Sequence, residues 1–141
     1  MTAQSEAKLS VRDYMAGHPQ VLGRNDTLDL ADDIMTMGRI RHLPVLNEGE
    51  LVGIISQRDM FRSAAVTALG FAVDTQKALI KTIRIKEIMT ENVVTISPDA
   101  TVKEAARIML DKKIGCLPVV EGMSLIGIIT ETDILRYVLE H

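Results

Sequence analysis

Apolar positions along this chain follow two rhythms, one helical and one extended. Val102, Ala105, Ala106 and Met109 fall at i, i+3, i+4 and i+7, one face of an α-helix, directly after the start signal "SPDAT". Leu28, Ala31, Ile34 and Met35 give a looser version of the same face. Short β-rich stretches, "QVL" at Val21 and "NVVTI" at Val94, precede the two helices. After the helices, "HLPVL" and "CLPVV" run into polar turns at "NEGE" and "EGMS" and on to "LVGIIS" and "LIGIIT". That order predicts two strands joined by a tight turn, each time. Residues 51–55 are nearly all apolar, as in a strand covered on both faces. Gly53 and Gly127 interrupt these runs where another backbone or a ligand approaches closely. Pro44 and Pro118 donate no ladder hydrogen bond, which predicts an edge strand or one only half paired at that point.

The pattern occurs twice. Pro44 and Pro118, Gly53 and Gly127, and Asp59 and Asp133 are each 74 residues apart (118−44, 127−53, 133−59). The same offset pairs "RDYM" at Arg12 with "KEIM" at Lys86, and "RIRHLPV" at Arg39 with "KIGCLPV" at Lys113. Two copies of so long a period predict two related subdomains rather than a solenoid. The expected fold class is α/β (α+β): two β-α-β-β-α repeats packed about an approximate two-fold axis into one module. The repeats span residues 9–68 and 84–139, with a helical connector at 69–83. The stretch from Ser63 to Ile83 is too apolar for a free linker and reads as helical on either side of Gly70.

Bulk composition narrows the function. With 141 residues and 47% apolar content, the chain can bury one ordinary core. A net charge of −3 gives no electrostatic footprint for nucleic-acid backbone binding. The polar start "MTAQSEAKLS", the lack of any apolar run near the roughly 18 residues of a membrane span, and the lone Cys116 predict a soluble protein of a reducing cytoplasm. His18 and His141 have no Cys, Asp or His at ligand spacing, so no metal site is expected. Cys116 has no activating base in the sequence and reads as a small pocket-lining hydrophobe. No phosphate-loop, nucleophile-elbow or zinc-protease motif is present, and no catalytic residue is assigned.

Ser56 with Asp59, and Thr130 with Asp133, have the spacing of a capping box, with the acid in the first turn where the helix dipole favours it. Capping alone accounts for both pairs. Alternatively, the Asp carboxylate accepts hydrogen bonds from ribose hydroxyls while the hydroxyl and nearby N–H groups face a phosphate. A cap at a cleft can also serve a ligand, so the two readings are compatible.

The ordered set "HLPVLNEGELVGIISQRD" and "CLPVVEGMSLIGIITETD", each after an amphipathic helix, resembles the tandem CBS domain pair named after cystathionine β-synthase. The resemblance runs from about Leu9 to Leu139 and implies a homodimeric regulatory module that binds AMP, ADP or ATP, or S-adenosylmethionine or NAD, between its repeats. It implies that an unidentified protein is regulated through a conformational change. By that analogy the Asp59 cleft comprises Ser56 and Asp59, with Ile114, Cys116, Pro118, Thr90 and Val94 around the base and Arg41, His42 and Arg58 toward phosphate. The Asp133 cleft comprises Thr130 and Asp133 with Ile40, His42, Pro44 and Val21 on the base side. Its phosphate-side equivalents are Gly115, Cys116 and Thr132, with Glu131 beside them. The second cleft is thus expected to lack a cation. Arg41 and His42 read equally well as solvated residues at a strand entrance. An adaptor module whose clefts bind nothing is the main rival, and residues 64–73 read either as a cover for the chain's own core or, by slight preference, as a dimer surface.

Overall fold

The computed structural model describes residues 9–67 and 78–141. In chain order the elements are α1 (Val11–Tyr14), β1 (Ala16–Gly17), β2 (Leu22–Gly23), α2 (Leu28–Gly38), β3 (His42–Asn47), β4 (Glu50–Ser56), α3 (Gln57–Thr67), a 3₁₀ turn (Ile85–Glu87), α4 (Val102–Lys112), β5 (Cys116–Glu121), β6 (Ser124–Thr130) and α5 (Glu131–Glu140). Most of the connector read at 69–83 and most of the surface read at 64–73 lie outside what is described.

The helices begin and end for local reasons. Thr101 caps α4 through a complete capping box: its hydroxyl accepts from the Glu104 N–H at 3.0 Å, and its own N–H donates to Glu104 at 3.1 Å. Both α2 and α4 stop where the next residue turns left-handed, Arg39 at φ 53° and Lys113 at φ 57°. Each strand pair turns tightly. Glu48 and Gly49 both have positive φ in the first hairpin, as does Gly122 in the second.

The chain packs as two units that do not follow the sequence repeats. One is Gln20–Val93; the other joins the described part of Met1–Pro19 to Val94–His141. In the first, the sheet order is β2-β3-β4, with β2 parallel to β3 (Leu22 opposite Val45) and β3 antiparallel to β4 (Pro44 opposite Ile54). In the second the order is β1-β6-β5, with β1 antiparallel to β6 (Ala16 opposite Ile128). The expected strand at Val94 is a single parallel bridge, Ile96 to Val119. Pro44 stands just before the segment of β3 that pairs with β2, and Pro118 uses only its carbonyl, accepting from the Ile96 N–H at 3.0 Å. Both prolines therefore sit where one side of their strand asks for no donor.

Each unit has its own core. Leu22, Leu28, Ala31, Met35, Leu43, Val45, Ile55, Met60 and Ile85 fill one, with Ile83, Ile88 and Met89 packed on it. Val11, Tyr14, Ile96, Val102, Ala105, Met109, Leu117, Val119 and Ile129 fill the other. The segment that opens each repeat thus completes the core of the other repeat. Sequence patterning did not reveal α1 or β1, because four helical residues and two strand residues carry no periodicity.

Candidate functional site

Ser56 ends β4 and starts α3, and there the capping box forms as the spacing predicts. The Asp59 N–H donates to Ser56 Oγ at 3.0 Å, and the Ser56 N–H donates to Asp59 Oδ2 at 3.1 Å. The ladder sets His42 opposite Ser56, and the Gln57 N–H donates to the Arg41 carbonyl at 2.7 Å. The basic entrance of β3 is therefore tied to the start of α3. Arg41 and Arg58 are exposed, and among the described residues neither forms an ion pair. Thr90 joins the same unit by a reciprocal pair of backbone bonds with Ile54, at 2.9 and 3.0 Å. Ile54 and Ser56 share a face of β4, since alternate strand residues point the same way.

Gly53 has the function its position suggested. A Cβ there would lie 2.5 Å from Met89 Sδ and 3.1 Å from the Thr90 carbonyl, so glycine lets the incoming segment lie close against β4 without displacing either. Gly127 repeats the device with Met15 at 2.5 Å and the Ala16 carbonyl at 2.9 Å.

In the other unit α5 starts with the matching box. The Thr130 N–H donates to Asp133 Oδ2 at 2.9 Å, and the Thr130 hydroxyl lies 3.3 Å from the same oxygen. The surroundings then diverge. Asp133 is buried, whereas Asp59 is half-buried. Arg136 approaches Asp133 Oδ1 at 3.3 Å and also donates to the Tyr14 carbonyl at 2.9 Å. The expectation that the Asp133 side lacks a cation is corrected: the phosphate-side positions carry none, but Arg136 pairs with the acid itself from i+3 along α5, a standard pairing distance on a helix. Tyr14, which supports Arg136, carries no periodicity or spacing signal in the sequence. Its hydroxyl donates to Glu140, which holds the phenol neutral and, with burial, pushes its pKa up to about 12. Burial likewise pushes the Cys116 thiol up to about 12, consistent with a packing residue rather than a nucleophile.

Asp59 thus shares its unit with Arg41, His42, Arg58, Thr90, Ile40, Pro44 and Val21; Asp133 shares its unit with Val94, Ile114, Cys116 and Pro118. Pro44, Cys116 and Pro118 are buried, while Val21 is exposed.

The CBS domain model matches residues 11–65 and 85–140. The chain belongs to the CBS domain family. An uncharacterized protein of Methanocaldococcus jannaschii, MJ1225, is 39% identical over 77% of this chain, and this chain spans 40% of that protein. A homoserine O-acetyltransferase of Methanohalobium evestigatum is 32% identical over 92% of the chain, which covers 24% of that enzyme. The chain therefore spans well under half of either relative. Among solved structures, the CBS domain pair of MJ0100 in complex with 5′-methylthioadenosine and S-adenosyl-L-methionine is 30% identical, with a TM-score of 0.77 over 93% of this chain and 96% of that one. The structure of CBSX2 in complex with AMP is 26% identical, with a TM-score of 0.76 over 94% and 97%.

This CBS pair holds no group of three or more His, Cys, Asp or Glu poised for a metal among the described residues. None of the described helices is long and apolar enough to cross a membrane.

Proposed function

We propose that this CBS pair is a regulatory module that binds a phosphorylated adenosine of the AMP, ADP or ATP class through Asp59. The observation that carries the reading is the contrast between the two acids. Asp59 has no ion-pair partner among the described residues and sits at a helix start beside Arg41, His42 and Arg58; Asp133 is buried and paired with Arg136. A carboxylate accepts ribose hydroxyls, and exposed guanidiniums complement phosphate. The AMP, S-adenosylmethionine and methylthioadenosine complexes of related CBS pairs support adenosine recognition as such. The Asp133 side is silent or takes a less anionic adenosine compound.

The module works as a cytoplasmic homodimer, a reading supported by exposed apolar Phe61 on α3 and by Leu135, Val138 and Leu139 on α5. Ligand binding signals to a partner by favouring one of two conformations, which requires different affinities for the two. It carries out no chemistry of its own.

A thermal-shift screen over AMP, ADP, ATP, GTP, NAD and S-adenosylmethionine tests this first. A ligand at 100 times its dissociation constant should add about 2.7 kcal/mol, a shift of several degrees. Calorimetric titration of the responding nucleotide then compares Asp59→Ala with Asp133→Ala, the former losing the binding heat and the latter keeping it. Equal losses would sink the asymmetry, and a flat screen would leave the adaptor reading in its place.

A further inference from the structure

Arg136 lies one turn beyond Asp133 on α5, with its guanidinium on Asp133 Oδ1. Tyr14 holds it there twice, through its carbonyl at 2.9 Å and through a ring whose centre is 5.6 Å from the guanidinium carbon. Tyr14 is itself fixed. It is buried, its hydroxyl donates to Glu140, and Tyr137 packs edge-on against its ring at 5.5 Å. Asp133 is consequently engaged at both oxygens, Oδ2 by Thr130 and Oδ1 by Arg136.

The first repeat has an arginine at the same spacing, Arg62 after Asp59, yet no ion pair joins the two. The duplication offset gives the reason. Tyr14 corresponds to Ile88, Tyr137 to Ser63 and Glu140 to Val66, so the equivalent positions on the Asp59 side supply neither the ring nor the groups that fix it. An exposed arginine with only a carboxylate to attract it loses rotamer freedom for little return. The aromatic support, more than the Asp-x-x-Arg spacing, docks the guanidinium.

We propose that Arg136 is an internal competitor for ribose at Asp133. Docked, it uses the carboxylate acceptor that a nucleoside's hydroxyls would need, and the Asp133 side binds adenosine ligands only when Arg136 leaves. Arg136 is then the specificity-determining residue of the second repeat, and Tyr14 its positioning residue. The proposal rests on the reading of the repeat acids as ribose acceptors.

Calorimetric titration of the full chain with AMP and, separately, with the less anionic S-adenosylmethionine tests it, with every variant also made in an Asp59→Asn background to isolate binding at Asp133. Arg136→Gln should tighten the Asp133-dependent phase roughly fivefold or more, about what losing one partly exposed ion pair releases. Adding Asp133→Asn should abolish that gain. Tyr14→Ile, which puts at this position the residue type that Ile88 supplies in the Asp59 unit, should move affinity the same way by less, while Arg62→Gln should leave the Asp59-dependent phase within twofold. Weaker Asp133-dependent binding in Arg136→Gln would overturn the proposal and make Arg136 a ligand contact. So would the absence of any Asp133-dependent phase in Arg136→Gln while Asp59-dependent binding persists. If Asp59→Asn leaves all binding intact, the Asp59 reading fails, and the Asp133-dependent comparison still decides the role of Arg136. Should circular dichroism show Arg136→Gln unfolded, Arg136→Lys and Tyr14→Ile carry the same test.

Discussion

Gly127 leaves no room for a methyl group, because the Ala16 carbonyl stands 2.9 Å from where a Cβ would sit and Met15 Sδ 2.5 Å away. The thioether can swing aside, but the carbonyl belongs to a paired strand and cannot. Gly127→Ala should therefore cost about 1–3 kcal/mol in chemical denaturation, and Gly53→Ala less, since the Thr90 carbonyl is 3.1 Å away. A neutral Gly127→Ala would mean that β1 is not held against β6. Tyr14 and Cys116 give a pH signature. Both are acids with pKa values near 12 in the fold, above their ordinary 10.0 and 9.0. The unfolded chain therefore gives up these protons first, so their stabilisation is complete below pH 9 and is lost as pH rises toward 12. Denaturation midpoints measured from pH 8 to 12 should fall in that window, and Tyr14→Phe combined with Cys116→Ala should flatten the fall. An unchanged slope in the double variant would place the loss elsewhere.

Elements were the most legible scale. The spacing of Val102, Ala105, Ala106 and Met109 predicts the inner face of α4, and three of these are buried while Ala106 is half-buried. Both hairpins follow the strand-turn-strand pattern, and both capping boxes form where Ser or Thr precedes Asp by three. These signals were readable because helix period, strand period and capping are local. Helix ends carry strain as well. Lys113 closes α4 with φ 57°, a conformation that costs an L-residue about 1 kcal/mol and glycine almost nothing. Lys113→Gly should raise stability by about 0.5 kcal/mol after the extra unfolded-state freedom is subtracted. A thermal melt checks this, and a drop in midpoint would show that the lysine side chain contributes more than its backbone costs.

At the scale of the whole molecule, the exchange of opening segments is the main result. Val11 and Tyr14 come from the start of the first repeat and lie in the core of the second. Each buried side chain of this size contributes about 1.5–3 kcal/mol. Deleting residues 1–19 should therefore destabilise the part around Leu117, Val119 and Ile129 while leaving β3 and β4 protected, as hydrogen exchange would report. Loss of protection centred on β3 and β4 would contradict the packing. What the sequence by itself determined was the duplication, the order of the elements, the capping acids Asp59 and Asp133, and the resemblance to a CBS pair. All of these rest on spacing within some 20 residues, or on the constant offset of 74. Only the tertiary structure decided which opening segment completes which core, and that Arg136 engages Asp133 while Arg62 leaves Asp59 alone. The physical reason is that the docking of Arg136 depends on Tyr14, 122 residues away, whose carbonyl and ring reach it only through the fold.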